Sequence, residues 1–145
     1  MADIYIAGPW FNKEQMDRLE HIKTIISELD LEYFSPKDES QFKQGDDPAI
    51  ILQTNVLAIQ DCTAIVVITD GKDTGTIWEA GYAYALQKPI LYVWLTHQPE
   101  QKFNLMLGAS GAVAMNYDEL QQQLGFFCMY DTFDETDNKG KLFYE

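Results

Sequence analysis

Apolar residues along this chain fall into short β-branched runs, separated by stretches in which they recur at helical spacing. Ile4-Tyr5-Ile6-Ala7 reads as a short buried strand that Gly8-Pro9 breaks. Asn12 is placed to cap a helix, with Gln15 three residues on as a capping-box variant. Met16, Leu19, Ile22, Ile26 and Leu29 give that helix one apolar face. Residues 31–34 predict a second, shorter strand. The polar, turn-forming residues 35–47 predict a loop, long enough to favour a functional role. Asp47-Pro48 suits an N-cap and first turn, and Ile51, Leu52, Val56 and Ile59 outline the helix behind it. Ala64–Ile68 is a continuous apolar run of the kind covered on both faces in a central parallel strand. Residues 70–75 read as a turn, 76–87 as a helix ended by Pro89, and 90–95 as another buried strand. Beyond a loop at 96–102, residues 112–115 predict the last strand and 117–124 a short helix. The acidic residues 131–137 are expected to lie in solvent.

Strand and helix alternate, so the expected fold is α/β: a single domain over residues 1–145, flavodoxin-like or Rossmann-like. Its sheet is mostly parallel, with helices on both faces. Such sheets bind ligands beyond the carboxyl ends of their strands. Residues 8–11, 70–79 and the segment around Gln41 converge there.

Composition narrows the function. A 46% hydrophobic content over 145 residues suffices for a packed core and excludes a disordered chain. The net charge of −13 repels phosphate backbones, so nucleic acid is not an expected partner and a neutral small molecule is. Cys62 and Cys128 have no ligand or framework spacing, so neither a metal site nor a disulfide is expected and both thiols read as buried or inert. His21 and His97 lack close metal partners. The start of the chain lacks a signal-peptide pattern and no apolar run is long enough to span a membrane, so the expectation is a soluble cytoplasmic protein.

The segment Asp73-Thr74-Gly75-Thr76-Ile77-Trp78-Glu79 carries the richest chemistry. It is expected to place Asp73 in the loop after a central strand, free to reach a neighbour. Glu79 is expected in the first helical turn, where the dipole favours an ionised carboxylate. A carboxylate pair equips a site for displacement at an anomeric carbon, one member attacking and the other exchanging a proton. Acidic residues at helix starts also serve simply as helix stabilisers, so the motif alone leaves both readings open. Trp10-Phe11, after Gly8-Pro9, offers a platform for a flat ring, with stacking on an aromatic worth about 1–3 kcal/mol per base. Covering the core edge is the plainer role for both. Gln41 and Asn55 carry amides able to read the edge of a base, or equally to cap or face solvent.

Taken together these pieces resemble the nucleoside 2-deoxyribosyltransferase family. The resemblance runs from Ile4 to about Met106, and more loosely beyond. It rests on the opening strand, glycine turn and aromatic pair, on Asp73 to Glu79 followed by Ala80-Gly81-Tyr82-Ala83, and on Asn104-Leu105-Met106. The resemblance implies Glu79 as nucleophile, Asp73 as the group exchanging a proton with the base, and Tyr5 as the residue orienting Glu79. It implies a substrate pocket formed by Gly8, Trp10, Phe11, Gln41, Asn55 and Gly75. Asn104 and Met106 would reach the site of a neighbouring subunit in a homo-oligomer, usually a hexamer built from dimers. The substrates would be deoxynucleosides and free nucleobases, with no cofactor. Asn55 stands where the family often has aspartate, which bears on base preference. Apolar Pro9-Trp10-Phe11 stands where a branch acting on monophosphates needs hydroxyls and basic groups, which favours a nucleoside donor. The alternatives are an N-glycosidase acting on deoxynucleosides or deoxynucleotides with water as acceptor, and a non-catalytic nucleoside-binding module. The residues 143–145 are expected near the site.

Overall fold

The computed structural model describes residues 2–138 and 140–145. Five parallel strands form one sheet: β1 (Ile4–Ala7), β2 (Tyr33–Phe34), β3 (Ala64–Ile68), β4 (Ile90–Val93) and β5 (Ala112–Ala114). Their spatial order is β2-β1-β3-β4-β5, and every neighbouring pair is parallel. The α/β expectation is met, with a topological switch point between β1 and β3. Pairing of Tyr5 with Ile65 and of Ile65 with Ile90 puts the β-branched run of β3 at the centre.

The alternation of β1 divides the core. Ile4 and Ile6 face α1 (Lys13–Glu28) and α6 (Tyr117–Tyr130), packing with Leu19, Ile22, Leu120 and Leu124. Tyr5 and Ala7 face the opposite layer, packing with Ile59 of α3 (Pro48–Asp61) and with Ala80 and Ala83 of α4 (Thr74–Ala85). Helices therefore cover both faces. Each fully buried Ile or Leu of these layers contributes roughly 1.5–3 kcal/mol of transfer free energy.

The helix caps mostly follow the sequence. Asn12 accepts from Gln15 N at 2.8 Å, and Asp47 from Ala49 N at 3.0 Å behind Pro48. The Gln15 side chain reaches one residue further back than a capping box requires, to Phe11 N at 2.7 Å, and so fixes the aromatic turn.

Several expectations are corrected. The second strand is only Tyr33–Phe34, because Leu31 still donates to Ile26 O at the end of α1. The 35–47 loop holds a helical turn, α2 (Pro36–Glu39), which Pro36 starts with its preset φ. Ile51, Leu52 and Val56 are not buried against the sheet; of the predicted face only Ile59 is, and Ile50 and Leu57 are exposed as well. The stretch after Phe103 contains an unforeseen helix, α5 (Leu105–Ser110). The last helix runs on to Tyr130 because Leu120, Leu124 and Phe127 continue one buried face. Residues 131–137 do not lie free: Phe133 is buried, and Gln123 bonds the Asp134 backbone in both directions at 2.9 Å. Cys128 is exposed, whereas Cys62 is buried and its Sγ donates to Ile59 O. Among the described residues no helix is long and apolar enough to cross a membrane.

Candidate active site

Chain topology brings together two residues far apart in sequence. Tyr5, in the middle of β1, is fully buried and stacks on Phe34 with ring centroids 5.4 Å apart. Its phenol donates a hydrogen bond to Glu79 Oε2 on α4. The strand fixes the ring, and α4 packs over β1 and β3 so that Glu79 meets it. Burial and the Glu79 carboxylate both push the Tyr5 phenol well above its usual range, so it remains a donor.

The position of Glu79 differs from the expected one. α4 starts at Thr74, so Glu79 is its sixth residue and lies in the second turn. The helix dipole falls off within the first turn and does not govern this carboxyl. Burial dominates instead and pushes Glu79 up to about 7; the Tyr5 hydrogen bond opposes the rise, and the nearby Asp73 charge adds to it. An acid in such a state ionises near neutral pH and is more basic than an ordinary carboxylate once it has done so.

Asp73 is not free in a loop. It is the N-cap of α4, and its Oδ2 accepts from Thr76 N at 2.9 Å and from Thr76 Oγ1 at 2.8 Å. The turn that delivers it, from Thr69 to Lys72, uses Gly71 at φ +84° and Lys72 at φ +52°, both left-handed, and is closed by Lys72 N to Thr69 O at 3.0 Å. Gly75 leaves room beside the same carboxylate: a Cβ there would lie 3.5 Å from Asp73 Oδ2. Thr76 was not singled out in the sequence, although its place three residues after an aspartate at a helix start is a capping signal.

The remaining candidates are distributed around this pair. Gly8 has a packing reason, since a Cβ there would meet Ile68 Cδ1 at 2.7 Å. Trp10 is half-buried and packs on the α1–α6 side, while Phe11 is 77% exposed; the two rings stack on each other at 6.3 Å. Asn55 accepts from Ser40 Oγ at 2.6 Å, which joins α3 to the segment carrying Gln41; Gln41 itself is exposed. Asn104 caps α5 by accepting from Leu107 N at 3.2 Å.

Asn104 and Met106 are not gathered with Glu79. They line a cavity of about 470 Å³ with Trp94, Phe103, Lys72, Glu145 and Ile77 of α4; Tyr5, Asp73 and Glu79 are not among the residues lining it. The 143–145 segment pairs with Phe103 and Leu105 through backbone bonds of 2.7 to 3.0 Å, so it borders this cavity and not the Tyr5–Glu79 pair. His21 stacks on Tyr117, and His97 lies beside Trp94.

A buried phenol on a carboxylate, with a second carboxylate at the start of the same helix, is a set of groups suited to attack on carbon with an accompanying proton transfer. A family model described as nucleoside 2-deoxyribosyltransferase matches residues 4–138. The chain belongs to the nucleoside 2-deoxyribosyltransferase family. That family is enzymatic and acts on nucleosides and nucleobases. Among solved structures, the chain is similar to a 2-deoxyribosyltransferase from Bacillus psychrosaccharolyticus, with a TM-score of 0.71, 25% identity, and coverage of 81% of this chain and 89% of that one. Two further structures share the fold. A 2-desoxiribosyltransferase from Leishmania mexicana has a TM-score of 0.64 at 22% identity, covering 88% and 97% of the two chains. A CMP N-glycosidase from Clostridium botulinum has a TM-score of 0.60 at 17% identity, covering 88% and 98%. A comparison with curated proteins found no match.

Proposed function

We propose that the protein transfers 2-deoxyribose between nucleobases by a retaining double displacement through an ester on Glu79. The observation that carries this reading is the Tyr5–Glu79 hydrogen bond, with the Asp73 charge near enough to act on Glu79. Tyr5 holds Oε2, which leaves Oε1 to attack. The Oε1 lone pair forms the bond to the anomeric carbon as the carbon–nitrogen bond breaks, and the departing base nitrogen takes a proton from Asp73, which is charged in the free enzyme and takes that proton up from solvent when the donor binds. A second base then reverses the sequence, losing its proton to Asp73 as it displaces the ester. Two inversions leave the sugar with its original configuration. The lack of an electron-withdrawing 2-hydroxyl makes the oxocarbenium-like transition state easier to reach.

The raised Glu79 suits this task. A nucleophile that ionises near the working pH combines a useful charged fraction with high basicity. Ser40 on Asn55 sets the orientation of that amide, and Gln41 and Asn55 then read the edge of the base. Trp10 and Phe11 supply apolar surface without phosphate-binding groups, which favours a nucleoside donor over a nucleotide. Asn104 and Met106, at the exposed start of α5, complete the site of a neighbouring copy in a homo-oligomer, dimer-based and ultimately hexameric. We place the protein in the cytoplasm and read residues 1–145 as one domain.

The test is a chromatographic assay with deoxyinosine or deoxyuridine as donor and adenine as acceptor. Deoxyadenosine formed by the wild type and not by Glu79→Ala is the expected result. Free base without a new nucleoside would replace transfer by hydrolysis. Intact donors throughout, monophosphates included, would leave a binding module.

A further inference from the structure

Asp73 has two carboxylate oxygens, and its surroundings treat them differently. Among the described residues Oδ2 takes both side-chain hydrogen bonds, from Thr76 N at 2.9 Å and Thr76 Oγ1 at 2.8 Å. The amide bond is ordinary capping, and most residues at this position could make it. The hydroxyl bond needs a threonine or serine. Thr76 is 1% exposed, so water does not compete for that hydroxyl. A hydroxyl has one proton to donate, and here it goes to Asp73.

An oxygen that already accepts two hydrogen bonds is the wrong place for a proton, which would be directed at one of the donors. A protonated Asp73 therefore carries its hydrogen on Oδ1 and presents Oδ2 as the carbonyl oxygen. We propose that Thr76 is a positioning residue: its hydroxyl holds Asp73 Oδ2 as an acceptor and so commits Oδ1 to the proton exchanged with the nucleobase. This role rests on the transfer reaction proposed above. In the first half-reaction the carbon–nitrogen pair goes to the base, the Oδ1 proton moves to the base nitrogen, and Glu79 Oε1 closes on the anomeric carbon. In the second half-reaction the incoming base gives its proton back to the same oxygen. Without the Thr76 hydroxyl, Oδ2 keeps only the amide. The carboxyl can then rotate about its Cβ–Cγ bond, and the proton is shared between two positions.

Thr76→Val keeps the side-chain volume and the backbone amide and removes only the hydroxyl. The informative quantity is the ratio of rates on two donors that differ in their need for a proton. For a purine-accepting enzyme these are 2′-deoxyguanosine and its 7-methyl derivative, whose base already carries a positive charge. For a pyrimidine-accepting enzyme they are 2′-deoxyuridine and 5-fluoro-2′-deoxyuridine, whose base leaves more readily. Both rates come from one sample, so the ratio does not depend on how much of the variant is folded. The expected result is a loss of about 10- to 100-fold on the donor that needs the proton. The loss on its partner is clearly smaller, and Thr76→Ser restores the wild-type ratio. Equal losses on both donors, or no loss on either, would overturn the positioning role while wild-type transfer stood. A wild type inactive on every deoxynucleoside would overturn the transfer reaction itself, and the role of Thr76 with it.

Discussion

Replacing Glu79 by glutamine tests the environment of the site independently of catalysis. The carboxyl is raised from its ordinary 4.5 to about 7, chiefly by burial. Between those two values the folded protein holds a proton that the unfolded chain has released. Wild-type stability therefore falls as pH rises through this window, and the full penalty is present above about pH 7. At 1.36 kcal/mol for each tenfold change in proton affinity, the whole rise corresponds to about 3 kcal/mol. Glu79 keeps some solvent contact, so about 2 kcal/mol is the working figure. Glutamine has the same shape, still accepts from the Tyr5 hydroxyl through its amide oxygen, and cannot ionise. The stability difference between Glu79→Gln and wild type should thus grow by about 2 kcal/mol in favour of the variant from roughly pH 5 to roughly pH 8. Many other carboxylates titrate in the same chain, so only the difference between the two proteins is informative. Urea denaturation of both at the two pH values measures it. A difference that stays constant with pH, or moves the other way, would refute the account of Glu79 as a carboxyl held in an unfavourable charged state for its chemistry. The variant should at the same time lose transfer activity.

Other outcomes follow from the same geometry. Under the proposed mechanism, in which ionised Glu79 attacks, kcat/KM for the wild type should rise with pH along a limb centred near 7; Tyr5→Phe removes the hydrogen bond that lowers Glu79 and should move that limb to higher pH, seen in a pH–rate profile. Asp70 is buried and its Oδ2 accepts from Leu95 N at 2.9 Å and from Thr96 N and Thr96 Oγ1 at 2.7 Å each, so Asp70→Ala should destabilise by about 2–4 kcal/mol in denaturant titrations, with activity per folded molecule largely kept. Gly111→Ala should destabilise by about 1–3 kcal/mol, since the new Cβ would lie 2.6 Å from the Ile90 carbonyl oxygen; an unchanged melting temperature would contradict the packing. If sites are shared between subunits as proposed, Glu79→Ala and Met106→Ala proteins, each impaired alone, should regain part of the activity when refolded together, since mixed oligomers would contain some sites with an intact Glu79 facing an intact Met106; no regain would remove the shared site.

What the sequence determined by itself was the class of fold and the local motifs from which a candidate site could be read. Parallel strands buried on both faces must be continuously apolar, and β3 is; amphipathic helices must repeat their apolar positions, and α1 does. Asp47-Pro48 and Asn12 mark their helix starts through local bonds that need no tertiary partner. The Asp73 to Glu79 spacing and the opening strand were also legible, because these features lie close together along the chain.

Tertiary structure decided what no local pattern contains. Only the family resemblance paired Tyr5 with Glu79 in advance; no local pattern does, and the bond exists because α4 crosses the sheet over β1. The basicity of Glu79 belongs here too: a residue expected to be ionised by a helix end is instead held near 7 by burial, and burial depends on packing from several elements. Packing also left most of the predicted apolar face of α3 off the sheet, because apolar spacing predicts that a face will be covered but not by which surface. It likewise docked the acidic 131–138 segment, whose charges describe its outer surface while Phe133 and Asn138 anchor its inner one. Asn104 and Met106 show the same limit: they stand at the start of α5, a helix no sequence pattern announced, and only the fold sets them in one cavity wall with Trp94 and Phe103.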